Sequence, residues 1–570
     1  MRAHRMSASI DLLWLMVVLA AFGVLVSLVP LPPNDFWWHL KIGTLILDER
    51  RIPATNMFGW TLPPDAPFTY GAWLGEALLA LLYRAGGLPL PTFARNLLAL
   101  VAFALIGWEA RRRGGSGRLA ALALTLAAGM SLNNLVLRPQ IWSWVPFAVF
   151  YLLLSRFREG ALRPMGLLAL PPLMAFWVNA HGAFILGPAL LLLFLAGGAL
   201  EALLGQRPLS TLRSLAGAAA LALLALLLNP QGVGILGYVH RLLTDRPSQT
   251  LVVEWASPTP HGIANVTFYG SILVLLLALA CSRYRLSPTE ALLIVAFLWL
   301  AWNGQRYVIW FGMVAAPILA RLLAGALPPW PWPSPPPRPL NALLAALLFL
   351  PVLAVQPWWV ERIPLPEAYW RQVWRGHPVG PLVGVETPVD AVEYLRAHPG
   401  GRLFNEMGYG SYLIWALPEQ KVFVDPRVEL YPYELWLDYV RISHASRYHE
   451  RLTRYGVDRL LIDKVLQEEL ARALEEDPRW EKEFEGARAQ VWRIRQGRPG
   501  GSSQPSRRGS HVQRTTQVQI KQMKSQTRNI LTTFELHKDN LAQELSTFIP
   551  EDRHSQSFYS CNYDKENGQR

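Results

Sequence analysis

Residues 32–43 read PPNDFWWHLKIG, directly after an apolar run over 10–31. Proline supplies no amide hydrogen and cannot continue a helix. Pro32 and Pro33 therefore stop the run, and the next residues sit where an apolar helix of about 20 residues would leave a bilayer. Asp35 is a favoured N-cap type for a second helix over 36–48. It is also an acid at a depth where ionisable groups are costly and usually line a cavity or pair. Trp37 and Trp38 suit the headgroup level, where aromatic belts form, and His39 completes the group.

The whole chain repeats this pattern. Of 570 residues, 52% are hydrophobic and 17% charged, against roughly 25% charged in ordinary soluble domains, and the mean hydropathy is +0.20. Further apolar runs lie at 93–110, 119–136, 141–155, 166–180, 183–204, 214–229, 266–282, 288–303, 307–326 and 341–358. With 10–31 they make about eleven spans. The run 73–83, which contains Glu76, is short and reads as interfacial or re-entrant. The first run is too long for a typical signal-peptide core and reads as a retained helix. Only two cysteines occur, Cys281 and Cys561, so neither a disulfide framework nor a CxxC metal site is available.

The net charge of +13 does not imply nucleic acid, because the basic residues sit in short loops beside apolar runs, where they orient membrane proteins. With the N-terminus cytoplasmic, Arg111, Arg112, Arg113, Arg118, Arg156, Arg158, Arg163, Arg207, Arg213, Arg283 and Arg285 all fall inside. The remaining polar residues then share the outer face: Asp35, His39, Glu76, Arg138 and Gln140 (LRPQIW), Asn179 and His181 (WVNAHGAF), Asn229 (LNPQG), Glu254 (VVEW) and Arg306 (NGQRY). Their grouping points to one aqueous site.

The fold class expected is an α-helical polytopic membrane domain over 1–360, followed over 361–496 by a small extracytoplasmic α/β domain. There, 401–406, 421–426 and 458–463 read as strands, and PVDAVEYLRAH and VLQEELARALEE as helices, which suggests a partly parallel sheet. The stretch 328–339 is a stiff proline-rich loop. Residues 497–570 are rich in Gln, Ser, Lys and Asn and read as a disordered or foreign tail, with one helix around 529–546.

The stretches DFWWHLKIGTLILDERRIPATNMFGWT, GAWLGEALLALLYRAGG, LRPQIW, WVNAHGAFILG, LNPQG, VVEWASP, RYVIWFGMVAAPILA and RLFNEMGYGSYLIWALPEQKVFVDPRVELY resemble a bacterial family of multi-pass membrane proteins. That family is similar to the mannosyltransferase-like GT-C glycosyltransferase superfamily, and the resemblance covers about 10–495. It implies sugar transfer from a polyisoprenyl-phosphate carrier to a glycan, lipid or protein acceptor of the envelope, at the outer face of the bacterial inner membrane. The catalytic acid of such enzymes lies just after the first helix and matches Asp35. The chain departs from the family pattern at Asn56, often Asp, which removes a second acid from the outer loop, and at Pro426, usually Gly, which alters a turn.

Transfer needs a carboxylate to take the acceptor proton and positive charge for the leaving phosphate, which arginine matches in geometry. Asp35 is the candidate base. Arg138 and Arg306, helped by His39 or His181, are the phosphate candidates, with Glu76 and Glu254 beside them. Trp37, Trp38, Trp142 and Trp144 suit stacking on sugar or prenyl chain. Each has a plainer reading: Asp35 as a cap, the tryptophans as a belt, Arg138 snorkelling to headgroups, Asn179, His181 and Asn229 capping helix ends, and Glu254 in a structural pair. Glu406, Asp425 and Arg427 at strand ends read as structural or acceptor-binding. No cofactor is implied; a divalent metal is left open, without a firm ligand spacing. A lipid-glycan flippase and a non-catalytic assembly scaffold are the competing functions, and the apolar centres of the spans disfavour the flippase.

Overall fold

The computed structural model describes residues 10–328 and 338–495; the expected tail and most of the proline-rich loop lie outside them. Helix α1 (Ile10–Ser27) leads to α2 (Phe36–Glu49), α3 (Trp73–Gly86), α4 (Pro89–Gly114), α5 (Gly117–Met130) and α6 (Ile141–Arg158). Then come α7 (Leu170–Ala180), α8 (Leu186–Leu203), α9 (Leu209–Ala225), α10 (Gly234–Thr244), α11 (Arg246–Leu251), α12 (Ile263–Cys281), α13 (Pro288–Asn303), α14 (Val308–Ala326) and α15 (Arg338–Ala354).

A helix occupies each of the eleven expected span positions, and 73–83 lies within α3. Among the described residues, four stretches are long and apolar enough to cross a membrane: Pro89–Gly114, Gly182–Leu203, Ile263–Cys281 and Gln305–Ala326. Six more apolar helices are shorter. The expected 119–136 run breaks at Met130 into a 3-10 turn, Leu132–Asn134. The innermost helix is α14, buried on nearly every face between α4, α5, α12 and α13.

Local chemistry sets the helix ends that matter. The C-terminal carbonyls of α1 have no intrahelical donors. Arg95, fully buried in α4, donates from Nη2 to the Val26 carbonyl (2.7 Å) and from Nη1 to that of Val29 (3.0 Å). A cation at a helix C-terminus also opposes the helix dipole. Gly43 lets α2 press on α3, since a Cβ there would lie 2.0 Å from the Glu76 carbonyl oxygen. Gly75 meets the Ala180 carbonyl in the same way, at 2.2 Å.

The loop arginines gather at one end of the bundle. Arg111 pairs with Asp11, Arg112 with Glu109 and Glu159, Arg113 with Glu159 and Glu290, and Arg158 and Arg207 with Glu201.

The remainder of the described chain contains α16 (Glu367–Trp370), α17 (Val389–Ala397), β1 (Leu403–Asn405), α18 (Met407–Ala416), α19 (Tyr433–Ser443), α20 (Tyr448–Tyr455), β2 (Arg459–Asp463), α21 (Glu468–Glu476), β3 (Trp480–Glu485) and β4 (Ala489–Ile494). The sheet order is β1-β2-β4-β3. β1 runs parallel to β2, with Phe404 opposite Leu460, and the other pairings are antiparallel. The expected strand 421–426 is not in this sheet. It runs through bends at Phe423 and Pro426 and makes one bridge, Val422 to Gly59. The Asn405 side chain occupies its main chain instead, accepting from the Phe423 N–H (2.7 Å) and donating to the Val424 carbonyl (2.8 Å). A side chain thus satisfies the groups a neighbouring strand would have paired.

This region is fastened to α2. Trp37 packs edge-on against Tyr412 and at a tilt against Trp415 of α18, with ring centroids 5.0 and 4.8 Å apart. The Ser411 hydroxyl accepts from the Trp38 N–H (3.1 Å) and donates to the Asn34 carbonyl.

Candidate functional site

A cavity of about 450 Å³ opens where the ends of α2, α3, α6, α7, α10 and α14 meet the loop after α18. Its lining brings together Asp35, Trp38, His39, Glu76, Arg138, Gln140, His181, Glu254 and Arg306, which are spread over more than 270 positions of sequence. Most of the polar residues that the sequence places at one membrane face therefore share one space.

Asp35 occupies the N-cap position of α2 but does not cap it. Its backbone is already helical (φ −53°, ψ −34°), and its side chain makes no capping bond. The carbonyl of Asp35 accepts from the His39 N–H (3.2 Å). The carboxylate is left for other partners: Arg138 Nη1 at 3.3 Å and Trp38 Nε1 at 3.5 Å. Burial raises the Asp35 pKa above its ordinary value; Arg138 opposes this and Glu254 adds to it. A charged form loses stability when taken out of water.

Arg138 is engaged at all three of its side-chain nitrogens. Nη2 donates to Glu254 Oε2 (2.8 Å), Nη1 to Asp35 and Nε to Gln140 Oε1 (3.0 Å). Burial works against its charge, yet Glu254 and Asp35 outweigh burial and hold its pKa above the ordinary value. Burial likewise would raise Glu254, but Arg138 prevails and holds that carboxyl below its usual range.

Arg306 differs. Its guanidinium lies 4.4 Å from the centroid of Trp255 and 5.9 Å from that of Tyr307. No carboxylate lies within ion-pair distance of it among the described residues. Stacking orients a guanidinium while leaving its in-plane N–H groups free.

The two histidines present different ring edges. His39 Nδ1 lies 2.7 Å from Glu76 Oε1. The carboxylate accepts there, so Nδ1 carries the proton and Nε2 keeps a lone pair. At His181, Nδ1 accepts from the Ala183 N–H (3.1 Å) and lies 3.0 Å from Ser143 Oγ. Ser143 Oγ itself accepts from Trp177 Nε1 (2.8 Å). His181 is thereby set with its proton on Nε2. Burial lowers both pKa values; Glu76 opposes this at His39, whereas Arg306 and Arg138 reinforce it at His181. One imidazole offers an acceptor and the other a donor.

Several sequence candidates lie elsewhere. Trp37 is fully buried, with Nε1 on the Pro32 carbonyl (3.0 Å). Trp142 donates to the Gly75 carbonyl (3.1 Å) and Trp144 is buried; none of the three lines the cavity. Asn179 bonds Trp73 and the Leu228 carbonyl, Asn229 closes its own turn, and Glu406 caps α18 through the Tyr409 N–H (2.9 Å). Asn56 is buried and uses its amide on Gly59, donating to its carbonyl (2.9 Å) and accepting from its N–H (3.0 Å). It therefore organises a turn and is not a cavity residue. Arg427, by contrast, does line the cavity, but its guanidinium grips Asp425 through Nε (2.8 Å) and Nη2 (2.7 Å), with Tyr70 on Nη1 (3.0 Å).

Tyr238, Trp255 and Glu429 also line the cavity and escape a reading by residue type. Trp255 directly succeeds Glu254, and Glu429 lies in DPRVEL, beside Asp425 and Arg427; adjacency to those motifs was the available signal. Among the described residues no three His, Cys, Asp or Glu are grouped as a metal ion would need.

No family model matches the chain, and no curated protein matches it. Among solved structures, it is similar to the archaeal oligosaccharyltransferase AglB from Archaeoglobus fulgidus, in complex with an inhibitory peptide and a dolichol-phosphate. The identity is 14%, the match covers 79% of this chain and 69% of that one, and the TM-score is 0.44. It is also similar to ArnT from Cupriavidus metallidurans bound to undecaprenyl phosphate, at 13% identity over 84% of this chain and 97% of that one, with a TM-score of 0.44. For ArnT in the apo state the TM-score is 0.46.

Proposed function

We propose that the chain is a membrane glycosyltransferase that moves a sugar from a polyisoprenyl phosphate to an envelope acceptor at the extracytoplasmic face of the bacterial inner membrane. The observation that carries the proposal is the convergence of Asp35 and an arginine without a counter-ion, Arg306, on one cavity. Asp35 accepts the acceptor's hydroxyl proton as that oxygen attacks the anomeric carbon. The bond from that carbon to the phosphate oxygen breaks, and the polyisoprenyl phosphate leaves with the electron pair. Arg306 and the Nε2–H of His181 receive the phosphate's charge, since charge-assisted bonds to it are the stronger kind. Arg138 holds Asp35 and Glu254 in place.

In this reading about eleven helices cross the membrane, with the N-terminus cytoplasmic and 361–496 as an extracytoplasmic α/β domain. The course of α6 supports it: 18 residues rise about 27 Å, close to a hydrocarbon thickness of about 30 Å. Gln140 stands at the cavity end and Arg158 at the arginine-rich end.

The test is release of polyisoprenyl phosphate from a panel of polyisoprenyl-phosphate hexoses by the protein in nanodiscs. Asp35→Asn is expected to abolish release while insertion and thermal unfolding stay as in the wild type. Full release by that variant removes Asp35 as the base. A folded wild type that binds the carrier but releases nothing from any hexose removes transfer and leaves the scaffold.

A further inference from the structure

The ions of the cavity can be paired off almost completely. Arg138 serves Asp35 and Glu254, Arg427 serves Asp425, and Glu76 takes His39. Two cavity groups of opposite sign, Arg306 and Glu429, stand in no ion pair among the described residues. No Lys, Arg or His nitrogen of the described residues lies within ion-pair distance of Glu429, because the guanidinium of neighbouring Arg427 is used up on Asp425 and Tyr70.

Glu429 is also held still. It sits in the 3-10 turn Val428–Leu430. The Val428 carbonyl accepts from Trp436 Nε1 (3.0 Å), the Leu430 N–H donates to the Arg427 carbonyl (2.9 Å), and the Tyr431 hydroxyl donates to Asp425 Oδ2 (2.5 Å). Its neighbours Val428 and Tyr431 are buried in a hydrophobic cluster with Phe404, Phe423 and Trp436, so the turn holds the acid at the cavity wall. Burial, together with the negative fields of Asp245 and Asp35, pushes its carboxyl up to about 7. A carboxylate kept at such a cost without a cation is suited to receive one. Tyr238 lines the same space, held where its ring edge meets Gly71, and an aromatic face favours a cation.

We propose that Glu429 is an ammonium-binding subsite, so that the ligand of this cavity carries a primary amine opposite the phosphate end taken by Arg306. This rests on the glycosyl-transfer reading for the phosphate end only. The amine belongs either to the sugar on the carrier or to the acceptor. A hard metal ion needs more oxygen ligands than one carboxylate, and no suitable group of three stands there among the described residues.

The experiment uses the full chain in nanodiscs and reads binding by intrinsic tryptophan fluorescence. In the donor arm, undecaprenyl-phosphate glucosamine is compared with its N-acetyl form. In the acceptor arm, free glucosamine is compared with N-acetylglucosamine, with and without saturating undecaprenyl phosphate. The amine is expected to bind about ten-fold more tightly in one arm, which identifies its source. Glu429→Gln is expected to cancel that preference while leaving undecaprenyl phosphate affinity unchanged. Equal binding of amine and N-acetyl forms in both arms by the wild type overturns the proposal, and so does a preference that persists in Glu429→Gln. If undecaprenyl phosphate does not bind the wild type, the donor reading falls, while free glucosamine still tests Glu429 by itself.

Discussion

Replacing Arg306 by glutamine should weaken binding of undecaprenyl phosphate and leave the fold intact. Arg306 has no carboxylate partner among the described residues and is oriented by stacking on Trp255 at 4.4 Å, so its N–H donors are available to a phosphate. A hydrogen bond to a charged group contributes about 1.5–3 kcal/mol, which is about a ten- to hundred-fold change in Kd. Arg138→Gln makes the contrast. It strands Asp35 and Glu254, whose side chains are 28% and 34% exposed, and should cost about 1–3 kcal/mol of stability after allowance for that exposure. The two variants should therefore separate: Arg306→Gln raises the Kd with an unchanged Tm, and Arg138→Gln lowers the Tm. Titration of each variant in nanodiscs with undecaprenyl phosphate, monitored by tryptophan fluorescence, reads the first effect, and differential scanning fluorimetry the second. Wild-type affinity in Arg306→Gln would refute the reasoning that an unpaired arginine marks the phosphate end.

Three further outcomes rest on particular contacts. Gly43→Ala puts a Cβ 2.0 Å from the Glu76 carbonyl oxygen, backbone against backbone, and should abolish the folded species in detergent size-exclusion chromatography; a normal monodisperse peak would show that α2 and α3 have room to part. Asn56→Asp replaces the amide that donates to the Gly59 carbonyl by an oxygen facing an oxygen, and should lower the Tm without restoring a cavity acid; an unchanged Tm would speak against the turn role. Glu429 binds its proton near 7 in the fold and near its ordinary 4.5 when unfolded, so between those values the folded form holds more protons and stability falls as pH rises. Glu429→Gln should therefore match the wild type near pH 4.5 and exceed it above pH 7, by at most about 3 kcal/mol, as read from thermal melts across that range; a constant difference would contradict the shift.

The helices were legible because their signal is compositional: apolar runs of 15 to 22 residues, many bounded by arginine clusters, leave few alternatives. The clustering of Asp35, His39, Glu76, Arg138, His181, Glu254 and Arg306 was legible through one inference, that polar residues at span ends with no basic bias share a face. What pairs with what was not. Asp35 and Glu254 are 219 positions apart and share one arginine, and nothing in local sequence tells a paired arginine from an unpaired one. The tryptophans failed for a related reason. Belt composition places an indole at a depth and is silent about its azimuth, so Trp38 lines the cavity while Trp37 packs under α18. The strand expected at 421–426 has the right residue types, but Asn405 supplies its hydrogen bonds from a side chain, which no periodicity records. WEKEFE of β3 is mostly charged and hides as a strand until β4 is seen beside it.

Asp35 shows why such pairing matters for mechanism. At the N-terminus of α2 a carboxylate normally spends itself on backbone amides, which would also hold it ionised and weakly basic. Here the backbone of Asp35 is already helical and its carbonyl starts the hydrogen-bond ladder, so the carboxylate is released from the helix. It is then balanced between burial, which raises its proton affinity, and Arg138, which lowers it. Glu254 tips that balance by drawing on the same guanidinium at the shorter distance, 2.8 against 3.3 Å. Glu254 therefore acts as a positioning residue in the proposed reaction: it weakens the hold of Arg138 on Asp35. Substituting Gln for Glu254 should strengthen the Asp35–Arg138 pair and shift the pH profile of carrier release to lower pH, whereas a purely structural Glu254 would change the yield of folded protein and leave the profile in place.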